Sequence, residues 1–285
     1  MFGIHTALAT PFASDGSVDL PTFERLVQRQ LDAGIHGLVP CGTTGETPTL
    51  LEAEQRTLLA TCLKLADGKV PVTVGVGTNS TRTTVASTRR AKEDGATAGL
   101  LVFPYYNKPN PAGLRAHVEE AAAVGLPLVL YHVPGRTGQH LPAPQLAELA
   151  NLPGVIAVKE ATGDLRYGTE VIHRTATPIL SGDDFSFLGL LAQGGKGCVS
   201  VVSNVDPART VAVYEHLAAG RVSEAQAEYL KLWPLMTWLF SDSNPVPAKA
   251  ALAELGFGSS APRAPLAAYD GPSPRPMLRA LGLCD

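Results

Sequence analysis

Charge is scarce in this chain: only 17% of its 285 residues are Asp, Glu, Lys or Arg, and the formal net charge is -3. The basic residues are scattered, with Arg89 and Arg90 the densest pair. That leaves no electrostatic footprint for nucleic acid or for a membrane surface. No run approaches the roughly 18 apolar residues of a membrane span. The opening "MFGIHTALATPF" has no basic segment followed by a long apolar stretch, so the cytoplasm is the expected compartment. Cysteine is sparse too. Cys41, Cys62, Cys198 and Cys284 show no C-x-x-C spacing, and the seven histidines form no cluster at zinc-ligand spacing. Four reduced thiols are expected, with no metal and no cofactor. The phosphate-cradling glycine fingerprint of dinucleotide-binding sheets is also missing: "ATPFASDG" from Ala9 is not one.

What the chain does have is apolar substance, 45% of its residues, enough for one large domain or a domain with an appendage. Short apolar runs recur eight times. They begin at Gly3, Gly37, Val70, Gly99, Leu126, Gly154, Thr177 and Gly195. Amphipathic stretches separate them, such as "PTFERLVQRQLDAG", which opens on Pro21 and stops at Gly34. Ser80 is placed to cap another. Most repeats take about the 30 residues of a βα unit. Strands that are apolar throughout belong to a sheet covered on both faces. The expected fold is α/β, a (β/α)8 TIM barrel over residues 1–220, with a doubly wound sheet as the alternative. Residues 221–285, with "SEAQAEYLKLWPLMTWLF" and "PVPAKAALAELG", read as a C-terminal helical region. The Pro-rich stretch "GSSAPRAPLAAYDGPSPRP" is expected to cross the surface as a loop.

In such a barrel the C-terminal ends of the strands and the loops after them build the active site. Those ends carry Thr43, Thr44 and Glu46, then Tyr105 and Tyr106, then Tyr131, His132 and Arg136, then Lys159 and Glu160, then Asp183 and Asp184. Lys159, at the end of the apolar run "VIAVKE", is the anomaly. A lysine is protonated at pH 7 with an ordinary pKa near 10.4. Deep burial lowers that value by up to about 3–5 units and frees the amine to attack a carbonyl carbon as a Schiff-base nucleophile. The bland alternative is an ion pair with a strand-end carboxylate. Glu160 is a poor partner, because adjacent strand residues face opposite sides. Schiff-base chemistry needs protons relayed, and Tyr131, Tyr106, Thr43 and Thr44 have suitable hydroxyls. Arg136 offers a planar fork for a carboxylate. Metal-dependent aldol chemistry would need converging ligands, and the histidines are dispersed.

The motifs "GTTGE", "PYYNKP", "LYHVPGRTG", "VKEATGD", "SGDD" and "NPVPAKAAL" stand here in one order. Together they resemble the dihydrodipicolinate synthase and N-acetylneuraminate lyase family of class I pyruvate aldolases, from about Gly3 to beyond residue 250. The arginine of "VPGRTG" makes the likeness closest to the synthase branch. The resemblance implies that Lys159 forms an imine with pyruvate, with Tyr131 as proton donor and acceptor. Thr43 and Tyr106 would complete the relay, Tyr106 lent by a neighbouring subunit. It further implies that Thr44, Gly182 and the carbonyl of Val199 border the pyruvate. Arg136 would bind aspartate semialdehyde, the second substrate on the route to lysine and diaminopimelate. A homotetramer, as a dimer of dimers, is implied as well. Lyases or dehydratases acting on 2-keto-3-deoxy sugar acids, and a non-catalytic barrel that binds a keto acid, are the alternatives. Glu52, Gln55 and Thr83 depart from the pattern of lysine-inhibited synthases, so inhibition by lysine is not expected.

Overall fold

Each of the eight apolar runs forms a β-strand in the computed structural model, which describes residues 1–285. In chain order the elements are β1 (Gly3–Ala7), α1 (Leu20–Asp32), β2 (Gly37–Val39), α2 (Glu52–Ala66), β3 (Thr73–Gly75), α3 (Thr81–Glu93) and β4 (Ala98–Val102). They continue with α4 (Pro111–Ala122), β5 (Leu128–His132), α5 (Pro134–Thr137), α6 (Ala143–Ala150), β6 (Val155–Glu160), α7 (Leu165–Arg174) and β7 (Ile179–Ser181). The last are α8 (Phe187–Ala192), β8 (Gly197–Ser200), α9 (Pro207–Ala218), α10 (Val222–Leu239), α11 (Val246–Glu254) and α12 (Arg275–Ala280). The strand order is β2-β1-β8-β7-β6-β5-β4-β3, with a helix following each strand. That is the (β/α)8 barrel fold, as the repeats predicted.

By internal packing the chain divides into two units. One comprises Met1–Gly3 and Pro71–Val199, the other Ile4–Val70 and Ser200–Asp285. In the first, the strands from β3 to β8 pair in parallel, each with the next. Its core is aliphatic: Leu128, Val129, Leu130, Ala157, Val158 and Leu180 have no exposed surface. Gly3 joins the edge, donating its N–H to the Lys196 carbonyl at 2.9 Å. In the second unit, β1 pairs in parallel with β2, His5 opposite Gly37. Gly37 has no Cβ for good reason, since one would lie 2.0 Å from the His5 ring.

Local chemistry starts the helices where the sequence placed them. Ser80 accepts from the Thr83 N–H, Asn110 from Gly113, Asp164 from Tyr167 and Asp206 from Arg209. The C-terminal region holds α10, α11 and also α12, which periodicity could not reveal in six residues. The Pro-rich loop before α12 does more than cross the surface. Its Arg263 bonds the Gly16 and Thr49 carbonyls and pairs with Glu54. No helix is long and apolar enough to cross a membrane.

Candidate active site

In the first unit, parallel pairing sets Lys159 of β6 opposite Tyr131 of β5 and Leu180 of β7. Both polar residues are 5% exposed. The Lys159 Nζ stands 4.0 Å from the centroid of the Tyr131 ring. Gly182, the first residue after β7, makes room for the lysine stem. A Cβ there would come within 2.8 Å of the lysine Cγ and Cε and 2.7 Å of the Ala161 Cβ. Val199 is buried on β8 beside Cys198, whose thiol burial pushes well above its ordinary pKa. Lys159 is close enough to that thiol for its charge to pull the other way.

Glu160 occupies the opposite face, as strand alternation predicted. Its Oε1 accepts the Thr162 N–H at 2.6 Å, and its Oε2 faces Gly168 of α7. Burial raises its pKa to about 7; Asp183 and Asp164 add to the shift, and the bonds from Thr162 oppose it. His132 is wholly buried, with its ring centroid 5.6 to 5.9 Å from those of His140, Tyr167 and Phe103. Burial, then His140, lowers its pKa to about 4, so it packs as a neutral ring.

Two further expected residues lie at the surface of this unit. Arg136 is exposed on α5, the one-turn helix that Gly138 ends at φ 69°. Tyr106 is 89% exposed and holds a left-handed φ of 73° in the loop after β4. In the single chain, therefore, Lys159, Tyr131 and Gly182 are brought together, while Tyr106 stands apart.

In the second unit, Thr43 and Thr44 sit in the loop after β2, between two residues in the left-handed region, Cys41 at φ 55° and Glu46 at φ 57°. Side chains from distant segments restrain this loop. Thr10 Oγ1 donates to the Gly45 carbonyl at 2.8 Å, and Asn244 Nδ2 donates to Thr44 Oγ1 at 2.9 Å. The Glu46 carboxylate receives Lys249 Nζ at 2.6 Å and the Arg263 N–H at 2.8 Å. Lys249 is 2% exposed, and its Nζ stands 4.0 Å from the centroid of the Phe12 ring. Burial lowers its pKa, Glu46 opposes that shift, and Arg263 adds to it. Cys41 is buried and its thiol is pushed up to about 12 by that burial, which suits a packing role and the reduced thiol expected of it. Asn244, Lys249 and Arg263 were not foreseen as site residues. The available signal was a lysine among apolar neighbours in "NPVPAKAAL", the same anomaly that singled out Lys159.

Comparison with known proteins gives a consistent result. The model of the dihydrodipicolinate synthetase family matches residues 1–275. The 4-hydroxy-tetrahydrodipicolinate synthase of Exiguobacterium sibiricum is 46% identical over 269 residues, 93% of this chain and 91% of that protein. The crystal structure of dihydrodipicolinate synthase from Thermotoga maritima superposes with a TM-score of 0.97 at 38% identity, covering 100% of this chain and 99% of that one. The chloride-inhibited dihydrodipicolinate synthase from Acinetobacter baumannii, solved in complex with pyruvate, gives a TM-score of 0.94 at 36% identity, covering 99% and 98%.

Proposed function

Because the chain belongs to the dihydrodipicolinate synthetase family, we propose that it is a 4-hydroxy-tetrahydrodipicolinate synthase. It condenses pyruvate with L-aspartate 4-semialdehyde in lysine and diaminopimelate biosynthesis. The observation that carries this reading is the buried Lys159 amine held 4.0 Å from the centre of the Tyr131 ring. The relative in complex with pyruvate supports the choice of first substrate.

The Lys159 nitrogen attacks the keto carbon of pyruvate, and loss of water leaves an imine. The protonated imine draws electrons from the adjacent methyl group, so a proton leaves that carbon and an enamine forms. The enamine carbon then attacks the aldehyde of the second substrate. Tyr131 supplies and removes protons at the imine, and Thr43 and Tyr106 extend the relay. Tyr106 comes from the neighbouring subunit of a homotetramer built as a dimer of dimers, which agrees with its exposure in the single chain. Thr44, Gly182 and the Val199 carbonyl border the pyruvate. Arg136 binds the semialdehyde carboxylate as a bidentate fork. Every residue in these roles belongs to the protein, no cofactor or metal is assigned, and the cytoplasm is the compartment.

The test supplies pyruvate and aspartate semialdehyde and follows product through a coupled NADPH-dependent reductase. Turnover that Lys159→Ala abolishes is the expected result. A folded wild-type sample without turnover would overturn the choice of aldehyde and turn the search to 2-keto-3-deoxy sugar acids.

A further inference from the structure

The contact between Asn244 and Thr44 has a direction. A threonine hydroxyl has one proton to give and two lone pairs to receive, whereas an amide nitrogen only gives. Asn244 Nδ2 lies 2.9 Å from Thr44 Oγ1, so the threonine is the acceptor there. Its own proton is thereby committed elsewhere. Thr44 is 2% exposed, and no group of the protein accepts that proton. A buried hydroxyl donor without an acceptor is a place prepared for an anion or a carbonyl oxygen.

The donor of this bond is itself firmly held. Asn244 precedes α11, and Lys249 of that helix reaches Glu46, two residues beyond Thr44, at 2.6 Å. One segment thus grips the loop at two points, through pairs separated by 200 and 203 residues in the chain. Glu46 is fixed from a third side by the Arg263 N–H. The loop cannot rotate Thr44 away from Asn244 without also disturbing a buried ion pair.

We propose that Asn244 is a positioning residue that fixes the Thr44 hydroxyl as a hydrogen-bond donor toward the pyruvate carboxylate. The proposal rests on the reading of Thr44 as a pyruvate contact. It makes Asn244 a determinant of pyruvate affinity that touches no substrate itself.

The test compares Asn244→Asp with Asn244→Ala by steady-state kinetics in both substrates and by borohydride trapping at limiting pyruvate. Aspartate has nearly the shape of asparagine but only accepts, so it takes the Thr44 proton and turns lone pairs toward the pyruvate. The expected result is a KM for pyruvate raised about 10- to 100-fold in Asn244→Asp, the worth of a hydrogen bond to a charged group. Asn244→Ala is expected to raise it only about threefold, because the freed hydroxyl still donates in part of its rotations. The KM for the semialdehyde stays unchanged in both. A merely structural role gives the reverse order, with the isosteric Asp the milder change, and that order would overturn the proposal. So would equal rises in both KM values. If Asn244→Asp does not fold, a cycle of Thr44→Val and Asn244→Ala decides. The double variant should show the pyruvate KM of Thr44→Val alone, and additive effects would overturn the proposal. Wild-type protein that traps no pyruvate removes the reading of the site itself, and the proposal with it.

Discussion

Adding one methyl group at Gly182 is expected to disarm Lys159. The backbone tolerates the change, since Gly182 is not in the left-handed region that favours glycine. The obstacle is space. The new Cβ would sit 2.7 Å from the Ala161 Cβ and 2.8 Å from Cγ and Cε of Lys159. Carbon atoms pack best at about 3.5–4.0 Å, so something must move by roughly 1 Å. The Ala161 Cβ has no torsion with which to withdraw, and the Gly182 N–H is tied to the Glu160 carbonyl at 2.6 Å. The lysine stem is the part that yields. Misplacing a reacting group by about 1 Å costs on the order of 100-fold in rate. Overpacking of this kind costs about 1–3 kcal/mol of stability, a shift of a few degrees in Tm for a chain of this size. The assay is the rate of borohydride-trapped pyruvate adduct, read by mass spectrometry at saturating pyruvate, with a thermal melt on the same sample. Gly182→Ala should retain its fold and lose about two orders of magnitude in adduct formation. A trapping rate within threefold of wild type would refute the argument that Gly182 shapes the lysine.

Two further perturbations test the buried charges. Lys249→Met leaves Glu46, with 1% of its side chain exposed, without its cation. Breaking a buried pair costs about 3–5 kcal/mol, so the melting temperature should drop by roughly 6–15 °C, and Glu46→Gln added to it should restore part of the loss. A single variant as stable as wild type would sink that account. Glu160 gives a pH signature: its folded pKa of about 7 exceeds the unfolded value, so between the two the folded chain binds the extra proton. Its contribution to stability is complete below the unfolded pKa and is lost as pH rises through about 7. Denaturation midpoints measured at pH 5 and pH 8 should therefore differ less in Glu160→Gln than in wild type, and an unchanged difference would count against a protonated Glu160.

The barrel was legible because its strands are mostly buried and recur as short, mainly apolar runs. Lys159 was legible for the same reason: a cation inside such a run has no solvent to reach. Element ends were less visible. The apolar run from Gly37 extends through Val39 and Pro40 to Cys41, yet β2 stops at Val39, and the left-handed backbone at Cys41 lies just beyond. No local pattern announces that turn, because Cys41 is neither glycine nor asparagine. Asn244, Lys249 and Arg263 were hidden for a different reason. Their importance lies in partners 200 or more residues away along the chain. A single sequence carries no record of such pairing. The outward half of β6 was legible only in part: alternation put Glu160 on the far face, but its raised pKa depends on burial and on Asp183 and Asp164, which the strand pattern does not reveal.

The clamp on the Thr44 loop also sets a clock. Glu46 leaves the ribosome 203 residues before Lys249. At roughly 5–20 residues per second, β2 waits about 10–40 s for the side chains that hold its loop. Most of the first unit, Pro71–Val199, is made in that interval as one continuous stretch. A chain interrupted before residue 244 would hold Lys159 and Tyr131 but lack the segment that holds Thr44. On the proposed roles, such a fragment would hold pyruvate less tightly than the finished chain, because its Thr44 hydroxyl lacks the Asn244 donor that fixes it.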